Sequence, residues 1–175
     1  MMASSNKPLL TYPLCTVDAY KRITAIVLPT ATGKTFITSN GVPTWIKEVD
    51  QVCHVRETVL LSDFRDRAKL TGNWIDYDRA LGTRLRMRMD DGDVVLLASE
   101  ELAHAIGAQI LGYGVLKEEL WMENVKKRGV KLKKYLDCYN KARNSTNILC
   151  ESYGDLYNLV INLSTEWRAL FAGKC

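Results

Sequence analysis

Histidine and clustered cysteine are what this chain has least of. It has two histidines, and its five cysteines stand at positions 15, 53, 138, 150 and 175. No two of them are at metal-ligand or redox spacing, which excludes a zinc ribbon or a Cys-x-x-Cys centre. An odd cysteine count without a secretory leader points to a reducing compartment, where a buried thiol behaves as a small hydrophobe. The N-terminus lacks a basic stretch followed by an apolar one, and no apolar run approaches the ~18 residues that cross a bilayer. The expected location is therefore the cytoplasm, or a viral particle built from cytoplasmic products, with no membrane partner. In that setting the glycosylation sequons at Asn144 and Asn162 are coincidental. Neither sign of charge dominates, since 24 basic against 20 acidic residues leave a net charge of +4. That surplus is too slight to indicate nucleic-acid binding by itself.

What is present is the composition of an ordinary globular domain. With 175 residues, 47% hydrophobic and 25% charged, the chain can bury one core, and two full domains would be cramped. Residues 1–20, with two prolines and mixed small residues, read as an extended arm before a domain over 21–175. Five short apolar runs then alternate with helical patterns. The runs are Ile23–Leu28, Thr58–Ser62, Val94–Ala98, Gln109–Leu116 and Asn147–Cys150. Helices are expected at Lys34–Thr38, Trp74–Met89 (Tyr77, Leu81, Leu85 and Met89 at four-residue spacing), Glu100–Gly107, Lys117–Lys127, Lys131–Arg143 and Asp155–Phe171. The segment Val42–Glu57 has no clear period. Strands separated by helices predict an α/β fold with a parallel sheet, because parallel neighbours need crossover connections.

The chemistry lies between the first strand and the first helix, in Leu28-Pro29-Thr30-Ala31-Thr32-Gly33-Lys34-Thr35. Phosphates are held where consecutive backbone N–H groups face the ligand at a helix N-terminus. Glycine permits the close approach, lysine counters charge, and a threonine hydroxyl ligates magnesium. Pro29, Thr30, Ala31, Thr32, Gly33, Lys34 and Thr35 are thus the candidate nucleotide-binding residues, with Thr35 the candidate Mg2+ ligand. The strict pattern has a small residue where Leu28 stands. The Pro-Thr-x-Thr-Gly-Lys-Thr form resembles the first motif of the large helicase superfamily, in which that position varies and Ala31 replaces a usual glycine. One lobe's length, and Ser99-Glu100-Glu101 after the third run in place of an Asp-Glu pair, argue against helicase activity.

More residues resemble the P-loop kinase family of P-loop NTPases, and most of all phage-type polynucleotide 5′-hydroxyl kinases. That resemblance implies a three-layer P-loop NTPase fold with a five-stranded parallel sheet flanked by helices. Leu60-Leu61-Ser62-Asp63-Phe64-Arg65 looks like the family's second strand ending in aspartate, with arginine two positions on. Asp63 would then accept the proton of an attacking hydroxyl, and Arg65 would grip an acceptor phosphate. Asn124 to Gly129, followed by an amphipathic helix, resembles the lid of these kinases, whose arginine would be Arg128; a second lid arginine would fall near Asn124, where it is absent. Tyr153 falls where adenine is received, and Arg84 and Arg88, with Arg79, would line the acceptor channel.

These resemblances imply Mg2+-dependent phosphoryl transfer from ATP or GTP, with Lys34, Asp63 and Arg128 catalytic. The acceptor would be a nucleotide or a polynucleotide 5′-hydroxyl. The competing expectation is a nucleotide-binding or NTP-hydrolysing module of a larger viral or nucleic-acid-handling assembly, without an acceptor. Asp63–Arg65 also reads as a surface ion pair and Lys126–Lys134 as a solvated basic turn. The oligomeric state is left open.

Overall fold

The computed structural model describes residues 22–53, 55–129 and 132–172. The arm expected over residues 1–20, and Lys131, lie outside them. Four strands form one parallel sheet: β1 (Thr24–Val27), β2 (Ile46–Glu48), β3 (Val94–Leu97) and β4 (Gln109–Tyr113), in the order β2-β3-β1-β4. All four residues of β1 and all four of β3 are buried, the pattern of strands covered on both faces. Because successive side chains point to opposite faces, Ile26, Leu28, Val94 and Leu96 enter one apolar cluster and Ala25, Val27, Val95 and Leu97 the other. Fully burying one such leucine contributes roughly 1.5–3 kcal/mol.

The helices divide between the two faces. With the first cluster pack α1 (Lys34–Ser39), α6 (Glu118–Arg128), α7 (Leu132–Asn144) and α8 (Tyr153–Ala172), through Ile37, Trp121, Tyr139 and Leu156 among others. With the second pack α2 (Val49–Val52), α3 (Val55–Thr71), α4 (Ile75–Arg88) and α5 (Glu100–Ala105), through Val52, Leu61, Leu81, Leu85 and Ala103. The predicted four-residue spacing in α4 holds, since Leu81 and Leu85 are fully buried and Met89 nearly so. Asn73 opens that helix by accepting the Ile75 N–H on its Oδ1 at 3.0 Å, and Asn40 closes α1 by bonding the Phe36 carbonyl. Among the described residues no helix is long and apolar enough to cross a membrane.

Two expected strands are corrected. Thr58–Ser62 is helical and belongs to α3. Within it Leu61 is buried while Val59 and Leu60 are more than half exposed, so the run's burial follows a helix and not a sheet. A short apolar run carries no period with which to tell the two apart. The second strand lies instead in the unreadable segment: β2 has three residues and only Ile46 fully buried. Asn147–Cys150 forms no full strand. It makes a single parallel bridge, Leu116 to Cys150, with hydrogen bonds from Cys150 N to Val115 O (2.8 Å) and from Lys117 N to Cys150 O (3.0 Å). The sheet is therefore four-stranded, with Cys150 extending the β4 edge by one rung.

At the end of β1, Leu28 is fully buried. Its side chain fills the space above Gly114: a Cβ there would lie 2.2 Å from Leu28 Cδ2 and 2.6 Å from Leu156 Cδ1.

Candidate functional site

The loop Pro29–Gly33 leaves the carboxyl end of β1 and runs directly into α1, whose first two residues are Lys34 and Thr35. Its first turn is closed by Thr32 N donating to Pro29 O at 3.0 Å. Gly33 caps α1 with φ 105°, a conformation natural to glycine. Ala31 has φ 68°, the only positive φ of a non-glycine among the described residues. Its position is the one where the helicase-like motif carries glycine, and the left-handed backbone supplies the reason. For an L residue that conformation costs roughly 1–2 kcal/mol.

Lys34 is half-buried at this turn. Burial holds its pKa below the ordinary lysine value; the carboxylates of Glu48 and Asp50 push it back up, and Arg128 lowers it further. The same groups line one cavity of about 290 Å³: Lys34 and Thr35 from α1, Glu48 and Asp50 from the end of β2 and the start of α2, Tyr77 from α4, and Arg128 from the end of α6. Glu48 is steadied by Thr38, whose Oγ1 donates to its Oε1 at 3.3 Å, and by Gln51, whose side-chain oxygen accepts the Glu48 N–H. A second cavity of about 330 Å³ shares Arg128 and adds Ala31, Gly33, Phe36, Asn124, Lys127 and Tyr153. Two cations, two carboxylates and two hydroxyls thus line the cavity at the start of α1. Such a set can bind a polyanion, hold a divalent cation through hard oxygen donors, and accept a proton from a third group.

Several expected site residues come together here and others do not. Lys34, Thr35 and Arg128 share the first cavity, while Ala31, Gly33 and Tyr153 share the second with Arg128. Tyr153 opens α8 half-buried. Its ring rests on Gly33, where a Cβ would be 3.0 Å from Cε1, and tilts at 39° against Phe36 with centroids 4.9 Å apart. Asp63 is displaced from the role expected of it: it stands mid-way along α3, exposed, and lines neither cavity. The cause is the misread strand, because the second strand ends at Glu48 and not at Ser62. Arg65, also on α3, is exposed with its guanidinium 3.3 Å from Ser62 Oγ. Its charge opposes the rise that burial gives the Tyr77 phenol's pKa, but Arg65 itself lines neither cavity. Arg84 lines a different cavity, with Phe64, Asp76 and Arg79, and Arg88 is exposed in the last turn of α4.

The acidic residues after β3 also turn elsewhere. Ser99 caps α5 by accepting the Leu102 N–H at 3.1 Å, and Glu100 accepts the Tyr113 hydroxyl at 2.8 Å. Sequence reasoning missed Glu48 and Asp50, whose only signal was a three-residue strand that ends at Glu48. It also missed Trp121 and Asn124 as loop contacts. Comparison with known protein families, with characterised proteins and with solved structures finds no match to this chain.

Proposed function

We propose that the chain binds ATP or GTP with Mg2+ on the Pro29–Thr35 loop and transfers the γ-phosphoryl group to a nucleotide-like acceptor, a polynucleotide 5′-hydroxyl being the sharpest form. This is the reading as a P-loop kinase within a P-loop NTPase fold. The observation that carries it is the convergence of Lys34, Thr35, Arg128, Glu48 and Asp50 on one cavity at the start of the helix that the loop opens.

Each group has work that its chemistry suits. Loop N–H groups and the Lys34 ammonium bind phosphate oxygens, and a triphosphate would relieve the electrostatic cost that burial imposes on Lys34. The Thr35 hydroxyl with the Glu48 carboxylate fits Mg2+, which takes one or two protein oxygens and completes its shell with phosphate and water; bound there, it would neutralise charge on the phosphates. Arg128 is planar and forked, so it can bind two equatorial oxygens of the moving phosphoryl group, where transition-state charge is spread. Asp50 takes the role first expected of Asp63. It is exposed, lines the cavity and stands two residues past the strand-end Glu48, so an acceptor hydroxyl entering beside Tyr77 could pass its proton to that carboxylate. Arg65, whose charge reaches the Tyr77 phenol, would be the acceptor-side cation.

The deciding experiment incubates the protein with Mg2+ and ATP or GTP labelled on the γ-phosphate, against nucleosides, nucleotides and 5′-hydroxyl oligonucleotides. Label on one acceptor class is the expected result. Acceptor-independent release of free phosphate would replace this reading with the NTP-hydrolysing module, and neither product nor binding would remove it.

A further inference from the structure

Two side chains of α6 reach the phosphate loop from one side. The indole N–H of Trp121 donates to Thr30 O at 2.9 Å, and the amide Nδ2 of Asn124 donates to Ala31 O at 2.9 Å. Neither donor is loosely held. Trp121 is fully buried and stacks on Tyr139 at 4.2 Å between centroids, while the Tyr139 hydroxyl is tied to Leu116 O at 2.7 Å. Asn124 is oriented from behind, because its Oδ1 accepts the Tyr153 hydroxyl at 2.7 Å, and that ring lies against Gly33 and Phe36.

A trans peptide is planar, with its C=O and the next N–H pointing opposite ways. Drawing the Thr30 and Ala31 carbonyls toward α6 therefore turns the N–H groups of Ala31 and Thr32 away from it. The Thr32 N–H closes the turn on Pro29 O, and both carbonyl dipoles are kept out of the loop's interior, where they would repel a phosphate. The left-handed backbone at Ala31 is unfavourable without such support, since strained conformations persist only where their surroundings over-determine them.

We propose that Asn124, held by Tyr153 and seconded by Trp121, is a positioning residue that keeps the phosphate loop's carbonyls turned outward and the loop receptive to a polyanion. The proposal rests on the nucleotide-binding reading for its ligand, although the strut itself concerns the loop's shape. It assigns to Tyr153 an action on the phosphates through Asn124, distinct from stacking on a base.

The test uses the full chain with Asn124→Leu, Tyr153→Phe and the double variant. Affinity for Mg·ATP and for inorganic tripolyphosphate is measured by titration, and exchange of the Thr32 amide is followed by NMR without nucleotide. Each single variant is expected to lose threefold or more in affinity, the scale of one orienting hydrogen bond. The loss should be equal for tripolyphosphate, which has no base. Tyr153→Phe should add little once Asn124 is replaced, because the two act in series. Thr32 exchange should quicken in both single variants. Losses below threefold, a loss confined to ATP, or unchanged Thr32 exchange would each overturn the strut. If Asn124→Leu does not fold, Tyr153→Phe, which keeps the ring on Gly33, decides by the same measures. A wild-type chain that binds no triphosphate sinks the functional reading instead, and Thr32 exchange then judges the strut alone.

Discussion

Replacing Gly33 with alanine tests how rigidly the loop is held. Two costs add. A φ of 105° at Gly33 is foreign to an L residue, at roughly 1–2 kcal/mol. The new Cβ would also meet Tyr153 at 3.0 Å from Cε1 and 3.3 Å from Cδ1. The ring would have to withdraw by several tenths of an ångström, but Phe36 lies beside it and its hydroxyl is bonded to Asn124; weakening that bond costs about 0.5–1.5 kcal/mol. The sum is about 1.5–3.5 kcal/mol, or roughly 3–14 °C in Tm for a chain of this length. Gly41→Ala supplies the control: its φ is 79° with nothing within 4 Å of the new Cβ, so only the backbone term applies there. Urea unfolding followed by tryptophan fluorescence measures both variants. A Gly33→Ala loss no larger than that of Gly41→Ala would refute the idea that Tyr153 is fixed against the loop, and removing the ring with Tyr153→Ser should erase the excess.

Lys34→Met should weaken Mg·ATP binding at least about tenfold, since a charge-assisted contact contributes on the order of 1.5–3 kcal/mol, while leaving the unliganded fold as stable or more so. Burial lowers the folded-state pKa of Lys34, so between that value and the unfolded one near 10.5 the unfolded chain binds more protons. Wild-type stability relative to Lys34→Met should therefore rise with alkaline pH, and a flat difference in Tm across that range would contradict the assignment. Asp50→Asn should keep nucleotide affinity and lose roughly 10²–10⁴-fold in acceptor phosphorylation, with Asp63→Asn near wild type; the reverse order in a turnover assay would restore Asp63. Arg128→Ala should lower turnover strongly with modest change in affinity, Arg128→Lys should rescue poorly, and Lys133→Ala should do little; equal, salt-sensitive effects in all three would make Arg128 a surface charge.

The elements with a long or sharply bounded pattern were legible before folding. The loop and its flanking strand and helix stood out because glycine, lysine and threonine follow a β-branched run, and α4 stood out because its leucines repeat every four residues. The second strand did not, since three residues with one fully buried position carry no alternation to detect. That single miss moved the strand end: the sequence pattern puts Asp63 just beyond it, whereas the strand ends at Glu48, with Asp50 two residues on. Arg128 was placed from its position in a lid-like segment and does share the cavity with Lys34. Asn124 was noticed only for not being an arginine, and its bond to Ala31 O spans 93 residues, a distance across which sequence periodicity carries no information.

Leu28 looks like a flaw when the phosphate motif is read as a contiguous word, because a bulky side chain stands where a small one is usual. Its counterpart lies 86 positions later, in the missing side chain of Gly114 and the adjoining Leu156. The volume has been moved and not added. The motif's spelling at position 28 is therefore a property of a pair, and only a comparison that weighs positions 28 and 114 jointly would recognise a chain carrying the opposite arrangement, small at the first and large at the second, as an equivalent solution.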